Sequence, residues 1–136
     1  MSEPHLKATS PVDVGCEKYH ATLAVADVRA AIDFYTTKLG FWLAFAEGDP
    51  PIFAGVNLGN VQMFLEQGTP SPQGCSVYFV VSDADKLHRF HQAAGVEIVD
   101  PPQDRPYGLR DYTVRDSYGY RLTFGHHPHC KSAERR

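Results

Sequence analysis

The second half of the chain repeats the pattern of the first, and this restricts the fold more than any other feature of the sequence. Val25-x-Asp27 aligns with Val81-x-Asp83, Phe34 with Phe90, and Leu39-Gly40 with Ala94-Gly95 when one residue of slack is allowed. A period of about half the chain means that one supersecondary unit is used twice. In the first copy, Tyr19 to Val25 alternates as a strand and Asp27 is a good N-cap. The spacing of Val28, Ala31, Ile32, Tyr35 and Leu39 predicts a helix over 28–39, stopped by Gly40. Three strands are expected next, at 41–45, 52–56 and 61–66, separated by Gly48-Asp49-Pro50-Pro51 and by Leu58-Gly59-Asn60.

After the proline-broken linker 69–74 the unit starts again, with a strand at 77–81, the N-cap Asp83 and an apolar stripe of Leu87, Phe90 and Ala94. A strand near 96–99, a long proline-rich loop and a hairpin complete it. The hairpin strands, 110–115 and 120–124, flank Asp116-Ser117-Tyr118-Gly119, which has turn chemistry. Period-2 geometry puts Arg110, Tyr112 and Val114 on one face and Asp111, Thr113 and Arg115 on the other. Each copy is thus βαβββ, and the expected class is α+β.

With 136 residues, 43% hydrophobic and 21% charged, the chain has the composition of one ordinary soluble domain. A net charge of −3 with scattered Lys and Arg leaves no basic footprint for nucleic acid. No apolar run suits a signal-peptide core or a membrane span, so a cytoplasmic location without membrane attachment is expected. Cys16, Cys75 and Cys130 lack paired spacing and read as free thiols.

The segment Pro106-Tyr107-Gly108-Leu109-Arg110-Asp111-Tyr112-Thr113-Val114-Arg115-Asp116, followed by Gly119, Leu122 and Phe124, resembles the closing hairpin of the glyoxalase/bleomycin-resistance/extradiol-dioxygenase superfamily, the vicinal oxygen chelate proteins. The stretch from Phe53 to Leu65 is most similar to its bleomycin-resistance branch. The resemblance implies two tandem βαβββ modules, at 18–67 and 75–125, curling as half-barrels around a ligand cleft. A lead-in at 1–17 and a polar tail at 126–136 lie outside them. It also implies a homodimer whose partner completes the half-barrels.

Metal-dependent members hold one divalent ion at four positions filled by His, Glu or Gln. Here these fall on His20, on Met63 or Phe64, on Ser76 or Val77, and on Thr123. One imidazole cannot hold a divalent ion tightly, so no cofactor is expected. Two alternatives stay open. Glu66 or Gln62 could join His20 if the register slips, and the tail His126-His127-Pro128-His129-Cys130 has residue types that suit zinc or nickel. The tail reads more simply as a solvated segment.

His20 is a candidate cleft base or hydrogen-bond partner, against the plainer reading of a core histidine. Phe64 and Trp42 are candidates for cleft lining, whereas Phe45 and Phe53 read as core. Glu66 is the carboxylate placed for acid-base work or simple solvation. The resemblance puts Tyr107 where the branch stacks on ligand rings, and Arg110 near the cleft rim, where it can meet an anionic edge or pin the loop. Thr123 completes the set of ligand-binding candidates. Aromatic lining with a lost ligand set favours a metal-independent binding protein that sequesters an aromatic ligand, such as an antibiotic. The alternative is a metal-dependent lyase, isomerase or dioxygenase of the same fold.

Overall fold

The structure is a computed structural model, and residues 11–128 are described. The first copy of the repeat forms β1 (Thr22–Val25), α1 (Val28–Thr37), β2 (Trp42–Glu47), β3 (Phe53–Leu58) and β4 (Val61–Gln67). The second forms β5 (Ser76–Val80), α2 (Ala84–Ala93), β6 (Glu97–Asp104), β7 (Arg110–Arg115) and β8 (Arg121–His126). Each copy folds into its own four-stranded sheet, in the orders β1-β4-β3-β2 and β5-β8-β7-β6. The outer pairs β1/β4 and β5/β8 are parallel and the rest antiparallel. This is the α+β arrangement of two βαβββ modules that the repeat called for.

The N-caps act as expected. Asp27 Oδ1 accepts from the Ala30 amide and Asp83 Oδ1 from the Lys86 amide, each at 3.1 Å, so both helices begin with a donor satisfied. Val28, Ala31, Ile32 and Tyr35 bury the inner stripe of α1. In α2 the expected stripe needs correction, because Phe90 is exposed and the buried positions are Ala84 and His91. The ring of His91 lies wholly inside the core, between Nε2 and the Leu39 carbonyl on one side and Nδ1 and the Tyr112 hydroxyl on the other, both at 2.9 Å. A polar side chain is tolerated there because each of its nitrogens has a partner.

The expected proline-rich loop is instead part of β6. Its register slips between Ile98 and Asp100 and again between Asp100 and Gln103. Pro101 and Pro102 fit in this strand because it is at the sheet edge, where a missing amide donor breaks no ladder. At the other end β8 extends one residue past the expected domain boundary. His126 is buried there, and its Nδ1 accepts from the Ala84 amide at 2.7 Å. Of the rest of the candidate tail site, His127 is exposed, while His129 and Cys130 lie outside the described residues.

The modules are joined on their helix side and at the β7–β8 turn. Tyr35 donates to Asp116 Oδ2 at 2.6 Å, while Asp116 Oδ1 accepts from the Tyr118 and Tyr120 amides at 2.9 Å. Tyr120 donates to the Ala24 carbonyl at 2.7 Å, and the rings of Phe41 and Phe79 meet edge to face at 5.6 Å. One apolar core runs through both modules, from Leu23 and Val56 to Val114 and Phe124. No helix among the described residues is long and apolar enough to cross a membrane.

Candidate functional site

Each sheet has one face under its helix and one open face. In β4, Met63 and Leu65 are buried toward the helix, so alternation sends Gln62, Phe64 and Glu66 to the open side. Strand pairing extends this side into rows. Thr22, Phe64, Gly55 and Phe45 form one row, Ala24, Glu66, Phe53 and Glu47 the next, and Gln62, Asn57 and Trp42 a third. Four rings cluster on this face. His20 lies 4.7 Å from Phe64, Phe64 lies 5.3 Å from Phe53, and Phe45 is 5.8 Å from Phe53 and 6.1 Å from Phe64.

Gly55 makes this cluster possible, since any Cβ there would collide with the Phe45 ring. Phe45 and Phe53 therefore belong to the open face rather than to the core, which corrects the expectation for both. Trp42 is at the start of β2 with 53% of its surface exposed, and Glu66 is exposed on its strand. His20 is half-buried and its Nδ1 lies 2.9 Å from the Gln62 carbonyl. That oxygen can only accept, so Nδ1 carries the hydrogen, and Nε2 is the ring nitrogen left to face a ligand.

The open face of the second sheet is polar. Its rows are Ser76, Arg121, Arg115 and Glu97; then Tyr78, Thr123, Thr113 and Asp100; then Val80, Gly125, Asp111 and Gln103. Thr123 and Thr113 share a hydrogen bond at 2.8 Å, and Arg115 pairs with Glu97 at 2.6 Å. Asp111 is the centre of a larger network. Its Oδ2 accepts from Tyr78 at 2.7 Å and Tyr107 at 2.6 Å, and its Oδ1 from Arg105 Nε at 2.7 Å. Arg105 also reaches Asp100 at 2.9 Å.

Burial pulls the Asp111 carboxyl up, but the donations from Tyr107, Tyr78 and Arg105 outweigh it and hold the group below its ordinary value. The same bonds raise the two phenols, with burial leading for Tyr78 and the Asp111 bond leading for Tyr107. Asp111 and Tyr78 were not singled out in the sequence. The polar alternation of the hairpin put Asp111 on the polar side, but its partners lie 33, 6 and 4 residues away.

Arg110 is not on this face. It alternates with Tyr112 and Val114 toward α2, where its Nε bonds Asp85 at 3.0 Å and its Nη1 bonds Asp104 at 3.3 Å. Its expected part at the cleft rim gives way to a helix-side ion pair, because residues two apart on a strand share a face. Tyr107 is 61% exposed while its hydroxyl is tied to Asp111. Of the expected set, His20, Trp42, Phe64 and Glu66 share the open face of the first sheet. Thr123 and Tyr107 belong to that of the second.

Of the positions that the resemblance maps onto metal ligands, His20, Phe64, Ser76 and Thr123 are on the open faces, whereas the alternative Met63 is buried toward the helix. Phe64 has no donor atom, and the Thr123 hydroxyl is engaged with Thr113. Among the described residues no three His, Cys, Asp or Glu side chains converge. This donor set does not fit a divalent ion. A separate apolar groove of about 620 Å³ lies at the module junction, between Leu58, Val61, Val80, Leu87 and Phe90.

Comparison with known proteins agrees with the fold and narrows it. The family model of the Glyoxalase/Bleomycin resistance protein/Dioxygenase superfamily matches residues 19–124. Comparison with curated proteins gives no match. Among solved structures, TioX from Micromonospora sp. ML1 is 30% identical with a TM-score of 0.70, covering 79% of this chain and 96% of its own. The bleomycin-binding protein of Streptomyces verticillus, solved with copper(II)-bleomycin, is 27% identical with a TM-score of 0.68, covering 82% and 97%. The bleomycin resistance determinant encoded on transposon Tn5 is 16% identical with a TM-score of 0.70, covering 82% and 98%, and supports the fold alone. The chain belongs to the glyoxalase/bleomycin resistance protein/dioxygenase superfamily.

Proposed function

We propose that this protein is a metal-independent binding protein that sequesters an aromatic small molecule, such as an antibiotic, in the cytoplasm. The observation that carries this reading is the ring cluster of His20, Phe64, Phe53 and Phe45 on an open sheet face. Ring pairs contribute about 0.5–1.5 kcal/mol each beyond the area they bury. A flat ligand that meets two or three of them in a preformed cleft reaches micromolar affinity, about −8 kcal/mol. The similarity to a bleomycin-binding protein points the same way.

The cleft is completed by a second copy in a homodimer. Leu43, Ile52 and Val80 are large apolar side chains left exposed, and covering them offsets the cost of association. The aromatic face of one copy then meets the Asp111 face of the other. The test is calorimetric titration of tag-free, chelator-treated protein with a panel of aromatic antibiotics, including metal-free bleomycin and copper(II)-bleomycin. Binding of one ligand per chain that falls at least tenfold in Phe64→Ala supports the reading. Activity or binding that appears only after Mn, Fe, Ni or Zn is added would favour the metal-dependent enzyme instead.

A further inference from the structure

We propose that Asp111 is a positioning residue that makes the two phenols of the polar wall, Tyr78 and Tyr107, accept hydrogen bonds and not donate them, so that the site favours aromatic ligands bearing N–H donors. This rests on the ligand-binding reading above and names the ligand class for the same site.

Asp111 is a carboxylate with 3% of its side chain exposed, and a carboxylate has no hydrogen to give. Tyr78 and Tyr107 must therefore both be donors in their bonds to its Oδ2, at 2.7 and 2.6 Å. Each phenol has a single hydrogen, now committed inward, and only lone pairs remain for a ligand. Both residues are exposed and their hydroxyls half-buried, so the phenols border the open face. The arrangement is built in: a Cβ at Gly125 would strike the Tyr78 hydroxyl and stand 2.9 Å from the Asp111 Cβ.

The charged donors nearest the two phenols face carboxylates. Arg105 gives Nε to Asp111 and Nη2 to Asp100, and Arg110 is on the helix side with Asp85. Arg115 and Arg121 face each other across β7 and β8, four residues along the strand from Asp111, or roughly 13 Å. On the aromatic face, His20 repeats the logic in its neutral form, since its Nδ1 hydrogen is given to the Gln62 carbonyl and Nε2 is then left with a lone pair. Both walls thus present acceptors between aromatic surfaces. An amide, amine or amidine attached to a flat ring satisfies them, whereas a group with only acceptor atoms leaves them unpaired.

The probes are 2-naphthamide and methyl 2-naphthoate, neutral molecules with the same ring that differ in the N–H donor, titrated calorimetrically. The amide is expected to bind about tenfold tighter than the ester, the worth of one or two hydrogen bonds. In Asp111→Asn, whose amide can donate, and in Tyr107→Phe, which loses one acceptor at an exposed position, the ratio should fall toward one. Equal affinities in the native protein, or a ratio that survives both substitutions, would overturn the proposal. If neither probe binds, the ligand-binding reading fails, and the clamp is judged in the free protein by ultraviolet titration of the phenols. Asp111→Asn should then let Tyr78 and Tyr107 ionise at lower pH, and an unchanged titration would refute the clamp.

Discussion

Replacing His91 by leucine tests how the two modules are held to one another. His91 donates Nε2–H to the Leu39 carbonyl at the end of α1 and accepts from Tyr112 on β7, each at 2.9 Å. A leucine of similar size fills the space and strands both partners in a core where His91 and Tyr112 have no exposed surface. Each unpaired group costs about 1–3 kcal/mol, and the added apolar contact returns about 1 kcal/mol, so a net loss of about 1–5 kcal/mol is expected. With a urea dependence of about 2 kcal/mol per molar, the midpoint should drop by about 0.5–2.5 M, measured at fixed protein concentration because association contributes.

The same residue predicts a pH dependence. Burial pushes the His91 ring below its ordinary value, the Leu39 bond partly opposing and His88 adding to the shift. The unfolded chain then binds a proton near pH 6.5 that the fold refuses. This contribution to stability is fully present above about pH 6.5 and is lost as pH falls through the lower folded value. The native protein should weaken on acidification in that window, and His91→Leu should show a shallower slope. A loss below about 0.5 kcal/mol, or an unchanged slope, would refute the assigned role.

Gly55→Ala should force the Phe45 ring from its place, costing about 1–3 kcal/mol and weakening every aromatic ligand alike in calorimetric titration. Tyr35→Phe removes the donor to Asp116 Oδ2 and should cost about 1–2 kcal/mol in urea unfolding, with the β7–β8 turn kept by the two amides on Oδ1. Arg110→Met breaks the pairs with Asp85 and Asp104; these are partly exposed, so about 0.5–1 kcal/mol of stability is at stake, and affinity for anionic and neutral ligands should change by less than about twofold.

The repeat made the architecture legible, because Asp27 and Asp83 cap both helices as their chemistry demands and glycines close both units. The hairpin was equally clear, since alternation fixes which residues share a face. Alternation does not say which face a helix covers. Arg110 followed Tyr112 and Val114 toward α2, and the polar side of the hairpin became a half-buried network around Asp111. The prolines of β6 hid a strand because only its place at the sheet edge excuses them. His91 was missed in favour of Phe90, since its two partners come from α1's end and from β7 and no local pattern announces them. The aromatic cluster had one readable sign, Gly55 in the middle of a strand, which marks a close approach.

The most direct test of the central claim is complementation between two variants, one damaged on each wall. Phe64→Ala disables the aromatic face and Tyr107→Ala the polar face, and each alone should lose most binding to a ligand identified by the antibiotic panel. Mixing them under conditions that exchange subunits gives, at random pairing, about half heterodimers, in each of which one cleft combines two native walls. About a quarter of native binding capacity should return at native affinity. If the mixture binds no better than its components, the two walls do not come from different copies, and the account of a shared cleft is contradicted.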